Sequence, residues 1–152
     1  MEDKKCQSAV VVGLPYIGNR VLLQLRDDKL GIVFPGHWGF FGGAIEEGES
    51  AEDAIQREIV EEIGFLPDSI HGLGRHNIED LDGLVAYAFA FPLTIPVEQL
   101  VQHEGQDMAL VTLEEVLSKR MYSNKMRAYF PVVRTQYLVD TIRRFLDHVN
   151  RS

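Results

Sequence analysis

The sequence predicts a single α/β domain over residues 1–152, a sandwich in which helices cover both faces of a central mixed β-sheet. Three observations lead to this fold class. Apolar β-branched runs are bounded by Gly and Pro, amphipathic segments of helical period lie between and after them, and no internal repeat or linker interrupts the chain. The 152 residues are 45% hydrophobic, which suits one core rather than two.

Three strands are expected before the first helix. Residues 8–14 (SAVVVGL) and 20–26 (RVLLQLR) are apolar runs separated by a proline and a Gly-Asn pair, a pattern typical of two strands joined by a turn. A loop rich in Gly and Pro follows. The aromatic run WGFF at residues 38–41 then predicts a short strand in front of two glycines.

A second hairpin is expected after the first helix. Residues 71–80 (HGLGRHNIED) and 83–91 (GLVAYAFAF) flank Leu81-Asp82-Gly83, and an Asp-Gly pair favours a two-residue turn. Residues 107–112 (DMALVT) predict one further strand.

The C-terminal part is expected to contain two helices. Thr112 with Glu115 fits a capping box at the start of the short helix LEEVLSK. Pro131 is expected in the first turn of a long helix that ends near Val149. The apolar residues of this helix recur at helical spacing: Tyr137, Leu138, Ile142, Phe145, Leu146 and Val149.

The charge of the chain restricts its partners. The formal net charge is −8 and the isoelectric point is near 5.1, which argues against non-specific binding to nucleic acid. From Lys119 onward there are eight basic and two acidic residues, so the part before it is strongly acidic. An acidic body that handles a phosphorylated ligand needs divalent cations to bridge the two.

Neither membrane insertion nor a disulfide is expected. No apolar run reaches the roughly 20 residues that span a bilayer, and the N-terminal apolar stretch is too short for a secretory signal, so we expect a cytoplasmic protein with no membrane partner. Cys6 is the only cysteine, which excludes an intrachain disulfide. We interpret it as a bystander thiol near a loose terminus.

The first helix has clear ends. Ser50 is a natural N-cap, Asp53 supplies acid to the first turn, and Gly64 is a typical C-terminal stop. The helix should therefore begin at Ala51 and run for about 13 residues.

This helix has glutamates in its apolar stripe. At about 100° per residue, Glu58 and Glu62 fall inside the apolar arc and Glu61 lies at its edge. Glu58 and Glu62 are like charges at i and i+4, and all three lie near the negative end of the helix dipole. Either they decorate an exposed face at some cost, or they bind a divalent cation such as Mg²⁺, for which carboxylate oxygens are suitable ligands. The apolar arc consists of Ala54, Ile55, Ile59 and Ile63.

The residues before the helix support the second interpretation. Gly42 and Gly43 allow the backbone to approach a ligand closely. Glu49 is either a structural partner at the helix start or part of a metal site. Arg57 is expected to orient a carboxylate by charge-assisted hydrogen bonds.

Residues 43–65 (GAIEEGESAEDAIQREIVEEIGF) resemble the Nudix box, GX5EX7REUXEEXGU, in which U is a bulky apolar residue. The resemblance implies the Nudix α/β/α sandwich and hydrolysis of a nucleoside diphosphate linked to another group, with Mg²⁺ as cofactor and Mn²⁺ as a substitute. Nine specified positions match: Gly43, Glu49, Arg57, Glu58, Ile59, Glu61, Glu62, Gly64 and Phe65.

By this resemblance the box also supplies the site residues. Glu58, Glu61 and Glu62 would bind metal together with the backbone carbonyl of Gly42, and Arg57, Glu49 and Gly43 would support them. The proton of the attacking water would be removed by a box glutamate or by a later one. Glu104 is the best later candidate because Gly105 gives its loop close approach. His103 beside it is either a further acid or base or a bystander.

The substrate contacts are less constrained. Trp38, Phe34 and Phe40 can stack on a nucleobase or belong to the core, and Arg26 can contact phosphate or sugar. Phe41 stands where many family members have proline before the glycine pair, which leaves the substrate open.

Several functions remain after this resemblance. Nucleotide sugars or similar derivatives are ranked first and nucleoside triphosphates, including oxidised ones, close behind. A non-catalytic nucleotide sensor is disfavoured because every box glutamate is present. The isoprenoid diphosphate isomerase branch requires a catalytic cysteine, for which Cys6 is poorly placed. The expected partner is a small nucleotide, and a homodimer is possible.

Overall fold

A computed structural model of the chain describes residues 8–78 and 83–151. Cys6 and the Leu81-Asp82 part of the second hairpin lie outside the described residues. The elements found are β1 (Ser8–Ile17), β2 (Arg20–Leu25), β3 (Trp38–Gly39), β4 (Phe41–Ala44), α1 (Ala51–Ile63), β5 (His71–Asn77), β6 (Leu84–Pro92), a 3-10 turn (Val97–Gln99), β7 (Asp107–Val111), α2 (Leu113–Leu117), β8 (Arg120–Ser123), β9 (Ala128–Pro131) and α3 (Gln136–Asn150).

Seven of the described strands form one mixed sheet. Strand β1 lies at its centre, antiparallel to β2 and β4 and parallel to β6. The outer strands are antiparallel to their neighbours, with β5 on β6 and both β3 and β7 on β2. Strands β8 and β9 form a separate hairpin. The expected α/β sandwich with a central mixed sheet is confirmed.

The two faces of the sheet are covered by different helices. Along β6, Phe89 and Phe91 pack with the apolar residues of α1, whereas Ala86, Ala88 and Ala90 pack with those of α3. This alternation follows from the two-residue period of a strand. The large side chains of β6 therefore lie on the α1 side of the sheet, and its alanines lie on the α3 side.

Helix α1 has the predicted ends. The Ser50 hydroxyl accepts a hydrogen bond from the backbone N–H of Asp53 at 3.0 Å. Gly64 adopts the left-handed conformation, and its N–H donates to the carbonyl of Val60. The capping box of Thr112 is also present on α2. Among the described residues, no helix has both the length and the apolar composition needed to cross a membrane.

The start of the last helix was predicted wrongly. Pro131 is the last residue of β9, and α3 begins at Gln136 behind the N-cap Thr135. The segment between α2 and α3, for which no strand was predicted, forms the β8–β9 hairpin. Proline is tolerated at the end of such a strand, because few ladder hydrogen bonds are lost there. The predicted WGFF strand is likewise two short strands, which pair with different neighbours.

Candidate active site

The two glycines before α1 form a tight corner against strand β1 and helix α1. Gly42 has a φ of +148°, and a Cβ atom there would overlap the carbonyl oxygen of Val11. A Cβ at Gly43 would lie 2.5 Å from a carboxylate oxygen of Glu58. The glycine pair therefore lets the backbone lie directly against an α1 carboxylate. The expected close approach to a ligand stays a prediction.

Glu62 is the buried acid of the cluster. Its side chain is 1% exposed and accepts hydrogen bonds from the backbone N–H of Gly42 at 3.2 Å and from the amide of Gln24 at 3.3 Å. Burial, followed by the hydrogen bond and charge of Glu58, raises the pKa of Glu62 far above its usual range.

Glu62 has the chemistry of a cation ligand. None of the ion pairs in the described part of the chain includes it, although a buried carboxylate is costly without a cationic partner. Such an acid either keeps its proton or gains a cation. The donors present fit a divalent metal, because hard carboxylate oxygens are its preferred ligands.

Arg57 organises the outer side of the cluster. Its guanidinium makes a bidentate contact with Glu49, at 2.7 Å and 2.9 Å, and also donates to Glu58 at 2.9 Å. A further N–H donates to the carbonyl of Ala44, which connects the helix to the end of β4. Hydrogen bonds from Arg57 lower the pKa of Glu49 to about 2, and Glu49 in turn raises the pKa of Arg57. The supporting roles inferred for both residues stay predictions.

The other two α1 acids are more accessible. The side chain of Glu58 is 15% exposed and that of Glu61 is 54% exposed, and both contact Arg57. Among the described residues, no three acidic, histidine or cysteine side chains already stand close enough to enclose a metal. In this arrangement Glu61 accepts a hydrogen bond from Arg57 at 3.4 Å. Gly42 turns its N–H toward Glu62, so ligation by its carbonyl remains a prediction.

A loop carrying Glu104 is held between α1 and β2. The backbone N–H of His103 donates to the carbonyl of Glu62 at 2.8 Å, and that of Gln106 donates to the carbonyl of Leu25 at 2.7 Å. Glu104 is exposed, and its charge is near enough to contribute to the raised pKa of Glu62. The structure thus brings the predicted later glutamate to the α1 cluster.

A cavity of about 210 Å³ lies beside the glycine corner. Apolar side chains line most of it, and three of the predicted substrate contacts, Arg26, Phe34 and Phe40, are among the lining residues. Burial lowers the pKa of Arg26, whose Nε donates to the carbonyl of Val33. Trp38 was predicted wrongly as a stacking residue, because its ring is fully buried and its indole N–H donates to the carbonyl of Met121.

A model of the NUDIX domain matches residues 7–132 of the chain. The chain belongs to the Nudix family. Mouse "Oxidized purine nucleoside triphosphate hydrolase" is 40% identical over 79 residues, which cover 52% of this chain and 47% of the relative. "Nucleoside triphosphatase NudI" of Escherichia fergusonii is 49% identical over 47 residues, which cover 31% of this chain and 32% of the relative. The match thus spans half or less of each curated relative.

Solved Nudix structures agree with the fold. MutT described from Aliivibrio salmonicida and Vibrio cholerae aligns with a TM-score of 0.58 and 27% identity, over 73% of this chain and 84% of that one. The MutT protein of Methanosarcina mazei aligns with a TM-score of 0.65 and 24% identity, over 99% of this chain and 100% of that one. The NUDIX domain of Shewanella oneidensis NrtR, complexed with ADP ribose, aligns with a TM-score of 0.65 and 22% identity, over 94% of this chain and 90% of that one.

Gln24 is the site residue that sequence reasoning missed. It lies outside the Nudix box, in an apolar strand where it reads as one polar interruption of the run VLLQL. Its side chain is 4% exposed. A buried polar residue at an inward position of a strand is the signal that could have drawn attention to it.

Proposed function

We propose that this Nudix protein is a divalent-metal-dependent pyrophosphohydrolase that cleaves nucleoside triphosphates. The observation that carries the proposal is the buried carboxylate of Glu62, held against the glycine corner with Glu58 beside it and no cation of its own among the described ion pairs. A helix that only stabilised the fold would place an apolar residue at this position.

Each residue of the cluster has a distinct part in the proposed reaction. Glu58, Glu61 and Glu62 would hold Mg²⁺, with Mn²⁺ as a substitute. When bound, such a cation withdraws charge from phosphate oxygens and makes water more acidic. Arg57 keeps Glu49 and Glu58 in place through its bidentate and single contacts.

We assign the removal of the water proton to Glu104. The oxygens of Glu58 and Glu61 already accept hydrogen bonds from Arg57, whereas no ion pair in the described part of the chain includes Glu104. Its loop is fixed on one side to α1 and on the other to β2, which keeps a solvent-exposed carboxylate close to the cluster.

The cavity beside the glycine corner suits a nucleoside. Its lining is mostly apolar, as nucleobase sites usually are, and Arg26 supplies a cation at the same surface. The phosphates would then extend over the glycine corner to the α1 acids. The names of the mouse and E. fergusonii relatives favour triphosphates, including oxidised purines, over nucleotide sugars. This reverses the order suggested by the sequence.

The test is product identification from a substrate panel at several Mg²⁺ and Mn²⁺ concentrations. The panel contains ordinary and oxidised nucleoside triphosphates, nucleotide sugars, ADP-ribose and dinucleoside polyphosphates. We expect metal-dependent release of pyrophosphate from triphosphates, largely lost in Glu61→Gln. Glu52→Gln is the matched control, because Glu52 is an exposed acid in the first turn of the same helix. Cleavage of none of these substrates by the native protein would contradict the proposal.

A further inference from the structure

Gln24 lies on the face of β2 that is turned toward α1. Its neighbours Leu23 and Leu25 belong to the core on the α3 side, so the alternation of the strand places Gln24 on the opposite face. The side chain is 4% exposed, which means that its amide must find partners within the protein.

The amide of Gln24 joins two parts of the candidate site. Its Nε2 donates to the carbonyl of Phe40 at 3.1 Å and to a carboxylate oxygen of Glu62 at 3.3 Å. Both partners are acceptors, so the NH₂ end of the amide must face them. One side chain therefore links the segment before the glycine corner to the buried acid of α1.

The other end of the same amide faces the Glu104 loop. A Cβ atom on Gly105 would lie 2.9 Å from Gln24 Oε1 and 2.7 Å from Gln102 Nε2. A side chain at Gly105 would therefore collide with Gln24, so glycine lets the loop next to Glu104 pass close to this amide. The backbone N–H of Gly105 also approaches Asp27 at 3.4 Å, which holds this part of the loop to the end of β2.

We propose that Gln24 is a positioning residue for the hydrolysis: its amide fixes the Glu62 carboxylate and, through Gly105, sets where Glu104 stands relative to it. This inference rests on the proposed function, because it gives the amide a role only if Glu62 and Glu104 act together. The segment before the glycine corner, the buried acid of α1 and the Glu104 loop all lie next to the side chain of Gln24.

A neutral amide is well suited to this position. A lysine or arginine here would neutralise Glu62 and repel a divalent cation, whereas an amide donates a hydrogen bond and leaves the negative charge available. A methionine of similar length would fill the space but donate nothing. Glutamine therefore acts here through the directed hydrogen bonds of its amide rather than by filling space.

The experiment compares Gln24→Met with the native chain, using Mn²⁺ alone in calorimetric titrations and steady-state kinetics with a nucleoside triphosphate. We expect Mn²⁺ affinity to fall by about 10-fold to 100-fold, the usual effect of removing a partner that orients a metal ligand. We also expect kcat to fall, to recover partly at higher metal concentration, and KM for the nucleotide at saturating metal to stay within about twofold.

Thr141→Val is the matched control. Thr141 is fully buried in α3 on the other side of the sheet, and its hydroxyl donates to the carbonyl of Tyr137. This variant should unfold at a lower temperature and keep its Mn²⁺ affinity. If Gln24→Met does not fold, Gln24→Asn replaces it, because the shorter amide cannot reach both acceptors.

The outcomes separate the two proposals. A folded Gln24 variant with native Mn²⁺ affinity and native kcat would overturn this inference alone, because the native chain would still bind metal and cleave nucleotide. A native chain that neither binds Mn²⁺ nor cleaves any nucleotide would overturn the proposed function and this inference with it. Weaker Mn²⁺ binding with metal-dependent recovery of kcat would support both.

Discussion

Helices α1 and α3 cover opposite faces of the same sheet, but they bury different chemistry. The buried residues of α3 are apolar or, like Thr141, hydrogen-bonded within the helix. Those of α1 include a carboxylate, Glu62, beside three isoleucines and an alanine. The last turn of α1 has no basic residue to oppose its acids, whereas that of α3 contains His148.

The difference is the one expected if α3 mainly stabilises the fold and the acids of α1 take part in the proposed reaction. Most of the side chains that α3 buries are those expected of a helix that covers a sheet, although Tyr137 and Leu138 in its first turn also line the cavity beside the glycine corner. Helix α1 covers a sheet as well, yet accepts a buried acid, a like-charged neighbour and an unfavourable dipole. Damage to α3 should therefore reduce stability, and damage to the acids of α1 should reduce activity.

The largest effect is expected from truncation in α3. Phe145 is fully buried, and the centroids of its ring and of the Tyr16 ring are 4.9 Å apart. Phe145→Ala should therefore lower the free energy of unfolding by about 3–5 kcal/mol. Urea denaturation measures this loss. The activity of the molecules that remain folded should be unchanged, and Ile142→Val provides a milder variant with a cost of about 0.5–1.5 kcal/mol.

Substitution of the buried acid of α1 is expected to reduce activity rather than stability. Glu62→Gln keeps the size of the side chain but removes its charge, and hydrolysis should fall at least about 100-fold, which corresponds to roughly 3 kcal/mol of barrier. Initial rates with Mg²⁺ measure the effect. If Glu62→Gln kept half the native rate, Glu62 would have no essential part in the reaction.

A smaller loss of activity is expected at Arg57. Arg57→Lys preserves the positive charge but cannot make the bidentate contact with Glu49, and activity should fall by about 10-fold or more. The measurement is kcat at saturating metal. Equal activity in the lysine variant would show that charge alone, without the fixed geometry, is enough.

The pH dependence of stability should differ between the native chain and Glu62→Gln. Glu62 has a raised pKa in the folded state, so above the ordinary glutamate value of about 4.3 the folded protein holds a proton that the unfolded chain has released. Without metal, this group makes the free energy of unfolding fall as pH rises. Glu62→Gln lacks that fall and should melt about 2–4 °C higher near pH 8, the shift produced by about 1 kcal/mol.

The smallest effects are expected where the two helices are alike. Both begin with a hydroxyl N-cap, Ser50 on α1 and Thr135 on α3, and each accepts a backbone hydrogen bond. Ser50→Ala and Thr135→Ala should each cost about 1 kcal/mol. Chemical denaturation of the two variants should give similar losses, and a large difference would mean that the caps have further roles.

Local sequence signals predicted the α1 region well. Its ends depend on Ser50 and Gly64, whose effects act within one helical turn, and both were found as expected. Glu49, Arg57 and Glu58, which the spacing of the box singled out, contact one another in the structure, because all three lie within one helix and the segment leading into it.

Features that depend on distant pairing were not predictable in the same way. The β8–β9 hairpin depends on cross-strand pairs, and its turn gives no strong glycine signal. Trp38 is buried because β8 lies over it, which the local sequence does not reveal. The surroundings of Gln24 depend on β2, α1 and the Glu104 loop coming together, and Gln24 and Glu62 are 38 residues apart in the chain.

If the buried face of α1 binds a divalent cation, the metal should raise the melting temperature of the protein. The native chain and Glu62→Gln would be melted at pH 8 in EDTA and again with Mn²⁺. We expect Mn²⁺ to raise the melting temperature of the native chain, while Glu62→Gln starts higher in EDTA and gains little from the metal. Equal gains in both proteins, or no gain in the native chain, would contradict this expectation.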